Sequence, residues 1–274
     1  MPWSADSLAE QLGALGLGNG HIVLVHSSLR EIGEVLGGAA GFIAAIQQVI
    51  GAAGTIVVPT LTEENSKTSR AHRKRIEGLS QKEVEEFRAD MPSFDVESTP
   101  TNAGTLAELI RLMPGAVRSA HPVTSFAALG PKATTLVADH ALNSYHGEQS
   151  PLGRLYDEPR AQVLLAGVEY DKCSAFHLAE HRLRLPDQPR TRYEFVLDEG
   201  DGPRWHAVDS IYLDDSDFAE LGAAVAARPG LAATGPLGSG SAHLLPMAPA
   251  VDFAVSWLTA HRSRRRPHTS TQEI

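Results

Sequence analysis

The hydrophobic residues at the start of the chain recur first at helical spacing and then as a short continuous run. The leucines of residues 8–15 lie on one face of a predicted helix, which glycines end before an apolar strand at 22–25. A second helix at 39–50 and a second apolar strand at 55–59 repeat this order. Short apolar strands that alternate with helices favour an α/β sheet built from right-handed crossovers.

The pattern changes in the middle and in the last third of the chain. Residues 63–90 are rich in Glu, Lys and Arg, so we predict an exposed loop and an amphipathic helix near 82–88 that could flank a site. The last third is typical of antiparallel strands followed by a closing helix. The further predicted elements are helices at 106–112, 133–140 and 248–261, and strands at 126–130, 163–168, 193–197, 204–208 and 243–245.

The composition limits the class of protein. With 42% hydrophobic and 21% charged residues among 274, the chain is long enough for one large α/β domain, which we place at residues 1–262. No apolar run reaches the roughly 18 residues of a transmembrane helix, and the first residues lack the profile of a signal peptide. We therefore expect a cytoplasmic protein without a membrane partner. The net charge of −9 argues against a nucleic-acid partner and suits a cationic or neutral small substrate.

One basic run departs from this acidic balance. Residues 262–266 read Arg-Ser-Arg-Arg-Arg and lie beside a segment that contains Ser, Thr and Pro. A solvated charged end explains such a run better than an anion site does. We therefore expect a disordered basic and polar tail over 263–274.

The strand predicted at 163–168 leads to a candidate catalytic base. It breaks at Gly167 and continues through Asp171 to His177 at the start of a helix. Ligands in open α/β sheets bind at the carboxyl ends of such strands, and histidine titrates near neutral pH. The alternative interpretation is a polar helix-capping turn whose histidine is simply hydrogen-bonded.

A second candidate site follows the first predicted strand. The residues His26-Ser27-Ser28-Leu29-Arg30 place small hydroxyl side chains ahead of a helix, where free backbone N–H groups favour an anion. A plain helix cap explains the serines equally well. The chain contains no GxGxxG, GxxxxGK(S/T) or GxSxG motif, so the sequence supports neither a dinucleotide site, nor a P-loop, nor a nucleophile elbow.

Longer motifs connect these sites along most of the chain. They are Val25-His26-Ser27-Ser28-Leu29, Gly54-Thr55-Ile56-Val57-Val58-Pro59-Thr60, Met91-Pro92-Ser93-Phe94-Asp95 with Thr99-Pro100-Thr101, Pro114-Gly115-Ala116-Val117-Arg118-Ser119 with His121-Pro122, Ser150-Pro151-Leu152-Gly153, and His177-Leu178-Ala179-Glu180. In this order they resemble the aminoglycoside 3-N-acetyltransferases, a family of acetyl-CoA-dependent antibiotic acetyltransferases distinct from the GNAT enzymes.

The resemblance implies a fold and a donor site. The fold is a three-layer α/β/α sandwich around a mixed sheet, with an antiparallel C-terminal portion. Acetyl-CoA, a co-substrate used without a metal, lies across the loops after the first strands. The residues that we predict to contact it are Ser27, Ser28, Leu29, Arg30, Thr60 and Ser125.

The resemblance also implies a mechanism in which His177 takes the proton from an attacking amine. A thioester is already activated, so direct transfer needs an oriented amine, a base and donors to the oxyanion. The tautomer of His177 needs a partner, for which Glu180 at i+3 is one candidate and Asp171 or a carboxylate of the Asp95 loop are others. The single cysteine, Cys173, excludes an internal disulfide or a CxxC site and invites an acyl-cysteine alternative. The family transfers directly, and its usual residue at this position is asparagine.

The acceptor is where the sequence departs from the family. Its members hold polycationic substrates with carboxylates, and by resemblance we predict acceptor contacts for Asp171, Asp209 and Asp95. A strand after a tryptophan normally carries two acids, whereas here Ala207 stands at one of the two positions, beside Asp209. The first expectation is a 2-deoxystreptamine aminoglycoside acetylated at its 3-amino group by a monomer or homodimer. The alternatives are another amine of secondary metabolism, or a non-catalytic protein that binds CoA or a sugar.

Overall fold

The computed structural model describes residues 1–264, and a seven-stranded sheet runs through its centre. The strands are β1 (Ile22–Ser27), β2 (Thr55–Pro59), β3 (Val117–Arg118), β4 (Phe126–Leu129), β5 (Ala161–Ala166), β6 (Arg190–Asp198), β7 (Pro203–Ile211), β8 (Ala233–Leu237) and β9 (Gly240–Pro246). The order across the large sheet is β3-β4-β2-β1-β5-β9-β8. Strand β1 runs parallel to β2 and β5, and the other pairs are antiparallel. This confirms the predicted mixed sheet with an antiparallel C-terminal portion.

Helices cover both faces of the sheet. They are α1 (Ala5–Leu15), α2 (Leu29–Ile32), α3 (Gly38–Ile50), α4 (Arg70–Arg75), α5 (Gln81–Ala89), α6 (Thr105–Leu112), α7 (Ala133–Val137), α8 (Pro151–Tyr156), α9 (Ala175–Arg182), α10 (Phe218–Ala226) and α11 (Met247–Arg262), with 3₁₀ turns at Glu63–Asn65 and Tyr170–Lys172. None of the helices within residues 1–264 is long and apolar enough to cross a membrane.

The central strands have two buried faces because successive side chains point to opposite sides. Val23 and Val25 of β1 pack with α1, α3 and α6, whereas Ile22 and Leu24 pack with α7 to α11. Two apolar cores with one sheet between them make the three predicted layers. Strands fully buried on both faces are typical of a parallel central sheet, which explains why β1 and β2 are continuous apolar runs.

A separate hairpin, β6–β7, stands beside the large sheet. Its two strands pair in register from Arg190 opposite Ile211 to Asp198 opposite Pro203. Phe195 of this hairpin is fully buried against Val123 and Tyr145. The hairpin therefore forms a small third core that borders the carboxyl ends of the central strands.

Two sequence-based expectations about helices differ from the structure. The helix predicted at 133–140 ends at Val137: Asp139 has a φ of +43°, which a continuing helix does not permit, and His140 turns inward, with Nδ1 3.0 Å from the Ser119 hydroxyl. Helices α4, α8 and α10 were not predicted. Of these, α4 and α8 have only six residues each, too few to show a clear periodicity.

The basic run at 262–266 is not solvated throughout. Arg262 is the last residue of α11, and its side chain is only 15% exposed because it binds the buried carboxylate of Asp217. Ser263 and Arg264 follow and are exposed. The rest of the predicted tail, 265–274, lies outside the described residues.

Candidate active site

A cavity of about 610 Å³ opens at the carboxyl ends of β1 and β2, beside the loop that follows β5. This is the place where the strand pattern predicted a site. The hairpin and the charged segment after β2 close its other sides. Its polar lining residues include His26, Ser27, Glu63, Arg70, Arg73, Tyr145, His146, Asp171, Lys172, His177, Tyr193, Tyr212 and Asp215.

His177 lies on the first turn of α9 and faces this cavity with a side chain that is 18% exposed. Its Nδ1 lies 2.5 Å from Oε2 of Glu180, whose side chain is fully buried. The two residues are three positions apart on one helix, so they share a helical face. A carboxylate can only accept, so Nδ1–H donates and Nε2 is left as the proton acceptor. Among the candidate partners for His177, Glu180 is the carboxylate in contact.

Two rings hold the imidazole of His177 in place. His146 stacks against it at 5.1 Å between ring centroids, and Phe218 contacts it at 4.8 Å. Burial lowers the pKa of His146 well below its usual range, so the stacked ring stays uncharged. The sequence pattern did not single out His146, which reaches the site from the irregular segment before α8.

His26 ties the end of β1 to the start of α9. Its Nε2 lies 3.1 Å from the hydroxyl of Ser174, the residue that precedes the helix of His177. Burial, and to a smaller extent the charge of His177, lowers the pKa of His26 to about 4, so this ring is neutral at physiological pH. Sequence reasoning included His26 only as part of a possible anion site, and the parallel pairing of β1 with β5 brings it to the start of α9, beside His177.

The residues that were predicted to contact acetyl-CoA differ in their exposure and in their distance from the cavity. Ser27 lines the cavity, whereas Arg30 is exposed and pairs with Glu31 at 3.1 Å. Thr60 and Ser125 are fully buried, with their hydroxyls 3.0 Å apart. Both accept a hydrogen bond from Nε of Arg118, at 3.2 and 3.0 Å respectively. In this structure Thr60 and Ser125 therefore position a half-buried arginine and do not line the cavity.

The predicted acceptor carboxylates are not all at the cavity. Asp171 lines it and pairs with Lys172 at 2.7 Å. Asp209 is exposed on β7 opposite Arg192, and Asp95 is exposed and closes its own loop through Ser98 at 2.6 Å. Both lie outside the cavity lining.

Two other carboxylates, Glu63 and Asp215, line the cavity. The sequence analysis assigned neither of them to the acceptor. Burial raises the pKa of Glu63, and Asp215 pairs with Arg70 at 2.6 Å. The acid-rich segment that contains Glu63 was the only signal for it. Asp215 follows β7 by a few residues, and no local pattern marks it.

The family model for the aminoglycoside 3-N-acetyltransferases matches residues 24–259. The chain belongs to this family. It is 35% identical to the SPβ prophage-derived aminoglycoside N(3′)-acetyltransferase-like protein YokD of Bacillus subtilis (strain 168), over 96% of this chain and 95% of that protein. It is 32% identical to aminoglycoside N(3)-acetyltransferase VII of Streptomyces paromomycinus, over 97% and 94%. Membership confirms the family inferred from the motifs and makes the chain an acyltransferase.

Solved structures of this family agree with the fold. The crystal structure of YokD superposes with a TM-score of 0.89 at 34% identity and covers 97% of both chains. AAC-IIIb in a binary complex with CoASH matches with a TM-score of 0.81 at 29% identity, over 95% of this chain and 98% of that chain. AAC-VIa bound to sisomicin matches with a TM-score of 0.79 at 27% identity, over 95% and 99%.

The cysteine of this acetyltransferase lies at the cavity but is unsuited to act as a nucleophile. Cys173 lines the cavity and is 1% exposed. Burial raises the pKa of its thiol to about 12, so the reactive thiolate is scarce near neutral pH. The geometry favours the histidine over the cysteine as the group that acts on the substrate.

Proposed function

We propose that the protein transfers the acetyl group of acetyl-CoA directly to the 3-amino group of a 2-deoxystreptamine aminoglycoside. His177 acts as the general base, and Glu180 fixes its tautomer. The observation that carries the proposal is the 2.5 Å contact between Nδ1 of His177 and Glu180 at the wall of the cavity. A base held by a buried carboxylate presents a basic nitrogen in a defined direction and is stabilised once it is protonated.

The reaction balances with these groups alone. The amine nitrogen attacks the thioester carbonyl, a C–N bond forms, and the amine proton moves to Nε2 of His177. The C–S bond then breaks, and the proton passes from His177 to the departing thiolate, so that an amide and free CoA leave. Glu180 stabilises the transient imidazolium by charge.

Acetyl-CoA as the donor is supported by the family and by the CoASH complex of AAC-IIIb. We propose that Ser27, Ser28, Leu29 and Arg30 contact the donor where β1 ends, with Thr60 and Ser125 behind them. Arg30 is exposed and its pair with Glu31 is an exposed one, so a phosphate at the surface would replace Glu31 at little cost in free energy. The buried thiol of Cys173 supports direct transfer over an acyl-cysteine.

An aminoglycoside as the acceptor is supported by the relatives' names and by the sisomicin complex of AAC-VIa. We propose that Asp171 contacts its ammonium groups, together with Glu63 and Asp215. We keep Asp95 and Asp209 as candidate contacts, reached only by an acceptor that extends beyond the cavity. The protein would work in the cytoplasm as a monomer or homodimer.

One observation favours a second acceptor class, a less cationic amine. Among the described residues that line the cavity, the acids are balanced in number by Arg70, Arg73 and Lys172. A polycationic ligand is favoured by an excess of acids, because each ammonium group needs a compensating charge. The alternative of a non-catalytic binding protein has less support, since the chain belongs to an acetyltransferase family and carries the His177–Glu180 pair at the cavity.

A panel assay separates these possibilities. Free thiol is measured while the protein is incubated with acetyl-CoA and aminoglycosides that do or do not carry a 3-amino group, and with singly charged amines. We expect thiol release only with acceptors that carry the 3-amino group. Release with singly charged amines alone would establish the second class. A melting-temperature shift with ligand but no thiol release from any acceptor would contradict an enzyme.

A further inference from the structure

Arg262, the last residue of α11, contacts the carboxylate that holds the base. Its Nη1 donates to Oε1 of Glu180 at 2.6 Å. Its Nε and Nη2 donate to the two carboxylate oxygens of Asp217 at 2.8 and 2.7 Å, and Nη2 also donates to the carbonyl of Asp214 at 2.7 Å. The side chain is 15% exposed, and those of Glu180 and Asp217 are fully buried. Bidentate, buried contacts of this kind fix a guanidinium in one orientation.

The two carboxylate oxygens of Glu180 contact different partners. Oε2 meets Nδ1 of His177, while Oε1 accepts from Arg262 and from the backbone N–H of Asp214 at 3.0 Å. The two donors to Oε1 restrict the rotation of this carboxylate, so its Oε2 stays aimed at the imidazole. The orientation of the base therefore depends on a residue 82 positions away along the chain.

The charges lead to the same conclusion. Within residues 1–264, Arg262 places a cation in direct contact with Oε1 of Glu180, whose Oε2 contacts Nδ1 of His177. A cation at this distance offsets part of the negative charge of Glu180 and so limits the charge that His177 experiences. Partial compensation of this kind suits a base that is protonated only transiently.

We propose that Arg262 is a positioning residue of the transfer reaction, which acts by orienting Glu180 and by offsetting its charge. The inference rests on the proposed role of His177. It also gives a function to a residue of the basic run that the sequence alone assigned to a solvated end.

Other ionisable groups surround His177 and bear on any pH profile. His26, His146 and His181 adjoin it, and burial lowers the pKa of each of these, so that they are uncharged across the working range. Glu63 faces the imidazole from the other side of the cavity. Glu180 on α9, Asp214 and Asp217 in the segment before α10, and Arg262 at the end of α11 lie behind it, while Asp171, Lys172, Arg70 and Asp215 line the same cavity.

The test compares Arg262→Gln, Arg262→Lys and the control Arg264→Gln, an exposed member of the same run. Loss of a residue that orients a catalytic group typically costs about 10- to 100-fold in activity. We expect Arg262→Gln to lower kcat by about that factor, with the KM for acetyl-CoA within about 2-fold. The acidic limb of kcat should move to higher pH by roughly half a unit to one unit, because a cation near His177 is lost.

The lysine variant separates charge from geometry. It keeps the cation but not the forked contacts, so kcat should fall while the acidic limb stays where it is in the unmodified protein. If Arg262→Gln does not fold, the kcat of Arg262→Lys decides alone, and an unchanged value overturns the proposal. The proposal is also overturned if a folded Arg262→Gln shows no shift in the acidic limb of kcat. It is overturned as well if Arg264→Gln lowers kcat as much as Arg262→Gln does. His177→Ala is measured beside them: if it retains turnover, the proposed function fails, whereas an inactive His177→Ala with a normal Arg262→Gln removes this inference only.

Discussion

Two walls of the same cavity carry charge in opposite ways. On the wall of the proposed base, called the catalytic wall, His177 lines the cavity, and behind it the carboxylates of Glu180 and Asp217 are fully buried and bonded on several sides, in both cases to Arg262. The wall of the proposed acceptor contacts, called the acceptor wall, is formed by Glu63, Arg70, Arg73 and Asp215 and is more open. There Arg70 is 79% exposed and Asp215 is 35% exposed, although the two pair at 2.6 Å.

The two walls differ in the free energy that is lost when one of their ion pairs is broken. Removing one partner of a buried pair costs about 3–5 kcal/mol, whereas an exposed pair contributes about 0–1 kcal/mol. We therefore expect the catalytic wall to keep one geometry. At the acceptor wall, an ammonium group of the proposed substrate would replace Arg70 at little cost in free energy. Rigid charge suits the base, and exchangeable charge suits an acceptor site.

The largest expected effect comes from removing the base on the catalytic wall. His177→Ala should lower kcat by about 10²–10⁴, because general-base catalysis contributes that much, while the KM for acetyl-CoA stays within a few-fold. Thiol release under saturating substrates measures it. Cys173→Ser is the matched control at the same cavity and should remain within about 3-fold, because the buried thiol takes no part in direct transfer. Acetylation trapped on Cys173 with donor alone would reverse the two roles.

A smaller effect is expected on stability, because several histidines near the catalytic wall are buried and neutral. Burial lowers the pKa of His26, His140 and His181 to about 4, and it lowers those of His121 and His146 well below their usual value. In the unfolded chain each returns to about 6.5, so the unfolded state binds more protons as the pH falls. The part of the free energy of unfolding that depends on these neutral rings is fully present above pH 6.5. It is lost progressively as the pH falls from there toward 4.

For each such histidine, the free energy of unfolding falls by up to about 1.4 kcal/mol per pH unit in that window. Urea unfolding at pH 7.5, 6.0 and 5.0 at constant ionic strength should show a steadily falling free energy of unfolding with an unchanged m-value. A free energy that is the same at pH 7.5 and 5.0 would show that these rings are protonated in the folded protein.

The smallest effect is expected on the acceptor wall. Asp215→Asn should raise the acceptor KM by about 2- to 5-fold and leave the KM for acetyl-CoA unchanged, since a partly exposed carboxylate contributes at most about 1 kcal/mol. Higher ionic strength should reduce the difference, because exposed pairs are screened. Asp209→Asn, on the exposed face of the hairpin, is the variant for comparison, because Asp209 is a candidate contact only for an acceptor that extends beyond the cavity. An effect of Asp209→Asn without one of Asp215→Asn would place the acceptor against the hairpin, as the family resemblance suggested.

The sequence by itself determined much of the fold. The apolar runs of β1, β2 and β5 and the leucine spacing of α1 are local patterns, and burial on two faces explains them. The pair His177 and Glu180 was also visible, because three positions on a helix bring two side chains to one face whatever the rest of the chain does. The motifs identified the family for the same reason, since each is a short continuous segment.

Only the tertiary structure decided which distant residues complete the site. His26 meets the start of α9 because β1 pairs with β5, and Arg262 meets Glu180 because α11 packs against α9. Asp215 lines the cavity while Asp209, six positions earlier, points to solvent, because β7 ends between them. No local spacing encodes these contacts. They depend on strand order and helix packing, in which charges pair with whatever the fold brings near and buried charges must find a partner.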